Sequence, residues 1–442
     1  MKILLSAYAC PPNSGTEPGY GWNWATHLAA RGIDVHVLTA ERYREGIENY
    51  VRSNPTAGLT FHYVRVPFEW AKRSEALHYV LWQIAALFVA RKLARSIDFD
   101  LAHHVSYGSV HVPSQLWRLG IPVIFGPVGG GQTAPAAMLP YFGAQKGKEQ
   151  LRTAFTRALR FSFLHWHSLR KMSYVIAANQ DTLRLVERLG CKRTTLLCDA
   201  GIPDSFFAPT PRQFQQQNTH FKLLWVGRML PRKALPLALD ALTRVPSTVS
   251  LTIVGDGLPP AEVMEMIADR NLETRVSWQG RRLTWDEVRS SYLDHDALLF
   301  TSLRDSFGCQ LLEAMALGLP VITLDLHGAH DFVPAGAGFK ASVGQPEETV
   351  RNLSNAIEAY ATLPWQKRNE ISRVVWNFAR KSTWSARAEF MEEIYKDVLT
   401  GTLDFEDIVP EKDSKASLKR DPELAPLAPA RSNLDSEVPQ IQ

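Results

Sequence analysis

Two strand-to-helix junctions in the second half of the sequence carry side chains that suit an anionic ligand. At the first, the apolar run 221–227 ends at Gly227 and is followed by Arg228, and Lys233 then stands at the start of an apolar stretch with helical spacing. The free N–H groups and the dipole of a helix N-terminus add to the charge of such cations. The pattern predicts an anion site, and two solvated cations in a loop explain this pair alone equally well.

The second junction, within residues 296–325, adds carboxylates. An apolar run ends at a polar turn containing Asp305, Ser306 and Gly308, and Glu313 lies two turns into the helix that follows. A carboxylate in a cleft accepts hydrogen bonds from two neighbouring hydroxyl groups, as in many ribose sites. Two acids at this spacing are common, so the prediction of a nucleotide site rests on both junctions together.

The elements around these junctions alternate regularly. Short apolar runs, such as 34–40, 121–126 and 249–257, alternate with longer amphipathic stretches. This alternation is typical of strand-helix-strand units and a parallel sheet. A segment rich in Pro and Gln, 203–218, separates two such series. The carboxyl ends of two such sheets would face a common cleft, where ligands bind.

We therefore predict an α/β protein of two Rossmann-like doubly wound domains facing each other across a cleft. The expected boundaries are 1–200 for the first domain, 201–218 for a linker and 219–380 for the second domain. A helix at 381–400 is expected to pack back on the first domain. The tail 401–442, rich in proline and mixed charge, is expected to be disordered.

Composition favours an ordinary globular protein, with 45% apolar and 21% charged residues among 442. The four cysteines form no C-x-x-C pair, so neither a zinc site nor a redox motif is indicated, and a reducing cytoplasm is expected. The longest apolar stretch, 79–90, is shorter than the roughly twenty residues that a bilayer span requires.

The charge is distributed unevenly. Residues 1–200 carry 23 Lys and Arg against 13 Asp and Glu, whereas the remainder carries 26 against 32. The basic first half favours an anionic partner, either a membrane surface or a phosphorylated acceptor, and no nucleic-acid motif accompanies it. The basic aromatic segment 152–174 and the helix around Trp82 either rest on an anionic membrane or pack into the core with solvated cationic edges.

The loop after the first apolar run contains Gly15, Gly19 and Gly21. Their spacing differs from the dinucleotide fingerprint G-x-G-x-x-G, which argues against a dehydrogenase. Asp98 and Asp100 form a D-x-D pair in a predicted turn, and we expect them to be solvated there. No metal site is predicted.

The two junctions together resemble a known signature. GR-x4-K, followed by D-S-F-G-C-Q-L-L-E-A-M-A-L-G-L-P-V-I at 305–322, is similar to the motif of glycosyltransferase family 4, whose members are retaining enzymes of the GT-B fold. The similarity extends from 221 to about 340 and includes the VGDG turn at 254–257. The N-terminal half fits more loosely.

The resemblance implies roles for individual residues. Arg228 and Lys233 would bind the donor diphosphate and stabilise the leaving group, Asp305 would act at the donor sugar, and Glu313 would hold the ribose. The other donor contacts that it implies are Gly15, Gly227, Gly280, Arg281, Ser306, Phe307, Gly308 and Leu311. The family usually has Glu where this chain has Asp305, so the identity of the donor sugar stays open.

Candidate acceptor residues lie in the first domain. His104 lies at the end of a short predicted strand and Tyr107 follows it, a position that faces a cleft in parallel sheets, although a structural histidine is an equal alternative. Gly129 and Gly130 belong to a glycine run that would let an acceptor approach the backbone. Many family members have a histidine on this strand, and its absence here leaves the general base unassigned.

The resemblance thus implies a metal-independent, retaining hexosyltransferase without a cofactor. It would move a sugar from a nucleotide diphosphate sugar to a glycan or lipid-linked acceptor, in surface polysaccharide or glycolipid synthesis. A non-catalytic nucleotide-sugar-binding protein and a GT-B sugar-nucleotide epimerase are the alternatives. The expected location is the cytoplasm, either free or at the inner face of the membrane.

Overall fold

Two parallel β-sheets, one in each half of the chain, organise the structure. The computed structural model describes residues 1–68, 73–215, 220–281 and 283–401. The strands of the first sheet are β1 (Lys2–Ala7), β2 (Asp34–Ala40), β3 (Leu59–Val64), β4 (Leu101–Ser106), β5 (Val123–Val128), β6 (Tyr174–Ala177) and β7 (Thr194–Leu196). The strands of the second are β8 (Phe221–Val226), β9 (Val249–Val254), β10 (Val276–Trp278), β11 (Ala297–Phe300), β12 (Val321–Leu324) and β13 (Gly338–Ala341).

Helices connect these strands. Those of the first half are α1 (Thr16–Ala30), α2 (Arg44–Ser53), α3 (Glu75–Leu93), α4 (Lys146–Ala158), α5 (Phe163–Arg170) and α6 (Gln180–Arg188). Those of the second are α7 (Leu235–Leu242), α8 (Pro260–Ala268), α9 (Trp285–Leu293), α10 (Cys309–Ala316), α11 (His327–Phe332), α12 (Pro346–Ala361), α13 (Trp365–Arg380) and α14 (Trp384–Thr400). Because strands covered on both faces must be apolar throughout, central strands such as β11 and β12 are buried along their whole length.

The order of the strands defines where each sheet binds ligands. The first sheet has the order β3-β2-β1-β4-β5-β6-β7 and the second β10-β9-β8-β11-β12-β13, with parallel pairing throughout the described ladders. In each, the chain reverses its direction of winding once, between β1 and β4 and between β8 and β11. Loops that follow strands at such a switch point diverge and leave a crevice. The predicted pair of doubly wound sheets is confirmed.

The last helix, α14, returns to the first half of the chain. Thr383 pairs with Ile202 in a short parallel bridge, so two chain segments run side by side at this point. Trp384 then packs against Trp24 of α1, with ring centroids 5.6 Å apart, and Arg31 bonds Glu392 at 2.5 Å. The predicted disordered tail, apart from Gly401, and residues 216–218 of the predicted linker lie outside the described residues.

None of the helices in the described ranges combines the length and the apolarity that a bilayer crossing needs. The long apolar stretch 79–90 falls within α3, where Trp82 is fully buried against the first sheet.

Candidate functional site

The two loops that carry the predicted donor site lie side by side at the switch point of the second sheet. One follows β8 and the other follows β11, its direct neighbour. The backbone N–H of Leu303 donates to the carbonyl of Arg232 at 2.8 Å, and the Thr301 hydroxyl donates to the carbonyl of Lys233 at 2.9 Å. These bonds fix one loop against the other.

Lys233 and Asp305 form the centre of this site. The Lys233 side chain is only 8% exposed, and its ammonium contacts one oxygen of the Asp305 carboxylate. Arg232 donates to the other oxygen at 3.1 Å, and the Ser302 hydroxyl donates to the first, also at 3.1 Å. Burial raises the pKa of Asp305, but the charges of Lys233 and Arg232 outweigh it and the net shift is downward. Asp305 is therefore ionised, and it neutralises cations that a phosphate could also engage.

Arg228 is exposed at the same edge of the sheet. Within the described part of the chain its side chain has neither a hydrogen bond nor an ion pair. Gly227, just before it, has φ +155° and its carbonyl closely approaches Gly255, where an added Cβ would lie 1.9 Å from the oxygen. Arg228 therefore follows β8 with an exposed guanidinium, on the same loop as Lys233.

Glu313 lies on α10, and the Tyr292 hydroxyl donates to it at 2.7 Å. Burial raises its pKa, while hydrogen bonds from Tyr292 and Cys309 and the charge of Lys233 oppose the rise. Lys233 and Glu313 are thus brought within electrostatic range of each other. Arg228 lies at the same edge of the sheet as Lys233 and Glu313, but among the described residues no hydrogen bond or ion pair joins it to either of them.

Ser306 connects the donor loop to the first half of the chain. Gln132 donates to its hydroxyl at 3.2 Å, and the hydroxyl donates to Asp199. A Cβ added to Gly129 would lie 2.3 Å from Ser306 Oγ, so this glycine allows the close approach. The structure therefore brings together Ser306 and Gly129, which were predicted on opposite sides of the cleft. Gly130, with φ +104°, faces His111 instead.

At the start of α10 two of the predicted donor residues offer a ligand only their backbone, because their side chains are buried. Gly308 precedes the helix with φ +100°, and a Cβ there would lie 2.6 Å from the Phe300 ring. The side chains of Phe307 and Leu311 are buried in the core below the loop. Because the Leu311 side chain lies in apolar packing, the predicted donor contact at this residue would be made by its backbone.

Three predicted donor residues lie on other loops. Gly280 and Arg281 follow the edge strand β10, and Arg281 is paired with Glu287 at 2.5 Å. Gly15 immediately precedes α1 in an extended conformation and is exposed. The cluster does not contact these residues in the described hydrogen bonds and ion pairs.

The prediction of His104 as an acceptor residue is wrong. Its side chain is 0% exposed, its Nδ1 lies 2.9 Å from the Ser6 hydroxyl and its Nε2 lies 2.9 Å from the Tyr79 hydroxyl. Burial lowers its pKa to about 4. Alternation along β4 places this side chain inside the domain, where it is a structural histidine. Tyr107 is half-buried, and its hydroxyl donates to Glu75 at 2.9 Å.

Two carboxylates that the sequence did not single out complete the cleft. Glu17 follows β1 and accepts a hydrogen bond from the backbone of Gly108, which follows β4, so it stands at the switch point of the first sheet. Surrounding protein raises its pKa to about 7, although solvent reaches it through the cleft, and Asp199 adds to the rise. Burial, and then the charge of Asp305, raise the pKa of Asp199 to about 6. Acidic residues in loops gave no signal, since only the tertiary fold brings them together.

Further polar pairs link the two halves beside the cleft. His327 Nδ1 lies 2.7 Å from the Asp181 carboxylate, and Asp331 accepts from the backbone N–H of Gln180 at 2.7 Å. The His327 hydrogen bond is the largest cause that lowers the pKa of Asp181. These pairs hold α11 against the N-terminus of α6.

An exposed basic and aromatic surface, which we call the α5 patch, lies on the first domain. Phe161 is 78% exposed and Phe163 is 73% exposed, while Leu151, Leu164 and Trp166 are also exposed. The guanidinium of Arg160 stacks on Phe161 at 4.6 Å and that of Arg170 on Trp166 at 4.5 Å. The same segment packs Leu159, Leu169 and Met172 into the core, so core packing holds for its other face and leaves the α5 patch outside it.

No cluster of His, Cys, Asp and Glu suited to a metal ion occurs among the described residues. Asp100 of the D-x-D pair accepts the backbone N–H of Lys2 at 2.7 Å, which gives it a structural role between β1 and β4.

Both halves of the chain match family models. Residues 20–199 match the model described as glycosyl transferase 4-like domain, and residues 220–359 match the model described as glycosyl transferases group 1. With the two doubly wound sheets, these matches place the chain in the GT-B glycosyltransferase superfamily.

Individual relatives and one solved structure are consistent with this class. The chain is 31% identical over 139 residues to lipopolysaccharide 1,6-galactosyltransferase of Salmonella typhimurium, covering 30% of this chain and 39% of the relative. It is 31% identical over 155 residues to N-acetyl-alpha-D-glucosaminyl L-malate synthase of Bacillus anthracis, covering 34% and 38%. The chain therefore matches about two fifths of the length of these relatives. The solved structure of Anabaena HepE in complex with UDP and glucose shares the fold, with a TM-score of 0.55, 18% identity, and coverage of 90% of this chain and all of that one.

Proposed function

We propose that this protein is a retaining glycosyltransferase that moves a hexose from a nucleotide diphosphate sugar to a glycan or lipid-linked acceptor. It would act in surface polysaccharide or glycolipid synthesis and need no metal ion. The observation that carries the proposal is the pairing of Lys233 with Asp305 at the switch point of the second sheet. The names of the relatives, which include a lipopolysaccharide galactosyltransferase, support this choice of pathway.

The charges of the site support the roles of the donor residues. Arg228 has a free guanidinium and Lys233 a buried ammonium, and each would bind an oxyanion of the diphosphate. Both cations would then stabilise the charge that develops on the leaving nucleotide, in a cleft with little water. This cationic pair takes the part that a divalent ion plays in other phosphate sites.

Carboxylates would orient the sugar parts of the donor. Glu313 accepts one hydrogen bond from Tyr292 and has further lone pairs for ribose hydroxyls. Asp305 lies between the two cations, where it would accept hydroxyls of the transferred sugar. Attack from the face that the diphosphate leaves, with the diphosphate oxygen taking the acceptor proton, would retain the anomeric configuration.

The test is transfer by the purified chain in the presence of EDTA. A panel of UDP and GDP sugars is first screened for stabilisation of the native state, and the best donor is then incubated with acceptor glycans. We expect a product with the donor's anomeric configuration, which NMR coupling constants report. Isomerised sugar would instead identify an epimerase, and binding without any turnover would identify a non-catalytic binding protein.

Charge reversal of Arg228 provides the matched variant. Arg228→Glu should lose donor binding and turnover by about 100-fold or more, because it replaces a charge-assisted contact with repulsion. Arg351→Glu on the exposed face of α12 has the same change of charge and should leave both unchanged. Full activity of Arg228→Glu would remove the donor-site assignment.

We further propose that the α5 patch rests on an anionic membrane. Exposed aromatic and aliphatic side chains flanked by Arg160, Arg170 and Lys171 suit the boundary between headgroups and acyl chains. Vesicles containing phosphatidylglycerol should sediment the protein, and neutral phosphatidylcholine vesicles should not. Replacing Phe161 and Phe163 with Ser should reduce sedimentation at least several-fold, and unchanged sedimentation of that variant would reject the proposal.

A further inference from the structure

A cationic pocket lies beside the proposed donor-sugar position and is not used by the mechanism above. Its volume is about 240 Å³, and its walls carry Lys148 and Arg152 of α4 together with Arg232 and Arg304 of the second half. Phe142, Leu230 and Pro231 supply apolar wall. The pocket therefore joins the proposed acceptor side to the proposed donor side.

The carboxylates in contact with these cations do not balance their charge. Glu149 lies 2.7 Å from Arg304 Nε and 4.0 Å from Arg152, and it is nearly fully buried. Asp305 is shared between Arg232 and Lys233. Two acids thus face five basic side chains, and the three arginines of the pocket wall, Arg152, Arg232 and Arg304, are partly buried.

The arginines act on one another. Burial, and then the charge of Arg304, lower the pKa of Arg152 to about 10. Burial is also the first cause that lowers the pKa of Arg304, and the charge of Arg232 adds to it. Partly buried like charges that act on one another are costly unless an anion joins them. Glu149 and Asp305 offset only part of this cost, so a bound anion would lower it further.

The position of Arg152 connects the pocket to the glycine run. Its guanidinium donates to the carbonyl of Gln132 at 3.1 Å and to that of Gly130 at 3.4 Å. Gln132 in turn bonds Ser306 of the donor loop. An acidic group in the pocket would therefore lie next to both Asp305 and the loop that the acceptor is expected to contact.

The geometry points to a binding site for the acidic group, phosphate or carboxylate, of a negatively charged acceptor sugar. Arginines bind such oxyanions through two parallel N–H bonds, which fixes orientation as well as affinity. The inference rests on the proposed function, since it assigns the acceptor of that same reaction. An acid group on the donor sugar has the same chemistry and is the other source to be tested.

Inorganic phosphate is the probe for the pocket itself. It is titrated calorimetrically into the full chain saturated with UDP, which occupies the diphosphate site. We expect one phosphate to bind, with affinity reduced roughly tenfold in Lys148→Gln and in Arg304→Gln, since each removes a charged contact. Lys148 is exposed, so its replacement leaves the fold intact. Arg351→Gln is the control and should bind phosphate like the wild type.

The outcomes separate the pocket from the proposed function. Phosphate binding that is absent, or equal in all variants, overturns the pocket even if UDP binds. Failure of UDP to bind, with phosphate binding still weakened in the two variants, overturns the donor assignment and leaves the pocket. The affinities of UDP-glucose and UDP-glucuronic acid identify the source of the acidic group. Equal affinities support the acceptor. If UDP-glucuronic acid binds more tightly and Arg304→Gln abolishes this difference, the assignment to the acceptor is overturned.

Discussion

The carboxylate of Asp305 neutralises the ammonium of Lys233 across two neighbouring strands of the second sheet. In this arrangement Asp305 pairs with the cation, Lys233, that the diphosphate of the proposed donor would bind. Binding of a diphosphate must then compete with Asp305 for Lys233, so the two residues should have opposite effects on nucleotide affinity.

Lys233→Met should weaken UDP binding by about tenfold or more, because a charge-assisted contact is lost. Asp305→Asn should leave UDP affinity unchanged or tighter, because it frees Lys233 and Arg232, yet it should abolish sugar transfer. Isothermal titration and a turnover assay measure the two effects separately. Equal weakening of UDP binding by both variants would contradict this account of the pair.

Asp199→Asn should stabilise the protein at alkaline pH. The folded pKa of Asp199, about 6, lies above its ordinary value, so its contribution to stability is fully present below about pH 4 and is lost as the pH rises through 6. The variant should gain up to about 2–3 kcal/mol of unfolding free energy at pH 8 and nothing near pH 4. Denaturant unfolding measures this difference. The exposed Asp269→Asn variant should show no such gain, and a gain independent of pH would contradict the prediction.

Buried histidines should make the fold sensitive to acid. Burial lowers the pKa of His103 to about 3 and that of His104 to about 4, and burial with the charge of Arg152 lowers that of His111 to about 4. Their contribution to stability is present above the unfolded pKa of about 6.5 and is lost as the pH falls toward 4.

The half-buried His111 offers a variant that can be compared safely. Asp199 acts in the opposite direction over part of this range, so the test compares slopes rather than absolute stabilities. His111→Gln should reduce the loss of stability by up to about 1.4 kcal/mol per pH unit between pH 6.5 and 4. Identical slopes in the variant and the wild type, measured by chemical unfolding, would rule out this role for His111.

Tyr395→Phe should loosen α14 from the first sheet. The Tyr395 hydroxyl lies 2.6 Å from His103 Nδ1, and both side chains are fully buried. Removing the hydroxyl leaves a buried ring nitrogen without its partner, which costs about 1–3 kcal/mol. A double-mutant cycle with His103→Phe isolates the pair, and additive effects would show that the two groups are not coupled.

Much of the fold was predictable because central strands are apolar along their length. Periodicity and length alone were enough to predict the strands β8, β9, β11 and β12. The pattern did not predict β3 and β13, because each is partly buried and a polar residue, His62 or Lys340, interrupts its apolar run.

The site was predictable only where residues are close in sequence or share a motif. Lys233 and Asp305 follow adjacent strands, and the motif predicted both. Glu17 and Asp199 meet only in the folded chain, so no spacing could indicate them. His104 was expected at the carboxyl end of a strand, but it lies within β4, and both faces of that strand are covered, since His103 and His104 are each 0% exposed.

The paired crossing of Ile202 and Thr383 restricts how the two halves can move. Both connections between the lobes, at Ile202 and at Thr383, pass through this one place. A rotation of one lobe relative to the other would therefore change the backbone angles of these two short segments together. Asp199 lies three residues before Ile202, with its carboxylate bonded to Ser306 of the opposite lobe. A substrate that changed the charge near Asp199 would therefore act within three residues of the point where the two connections between the lobes meet.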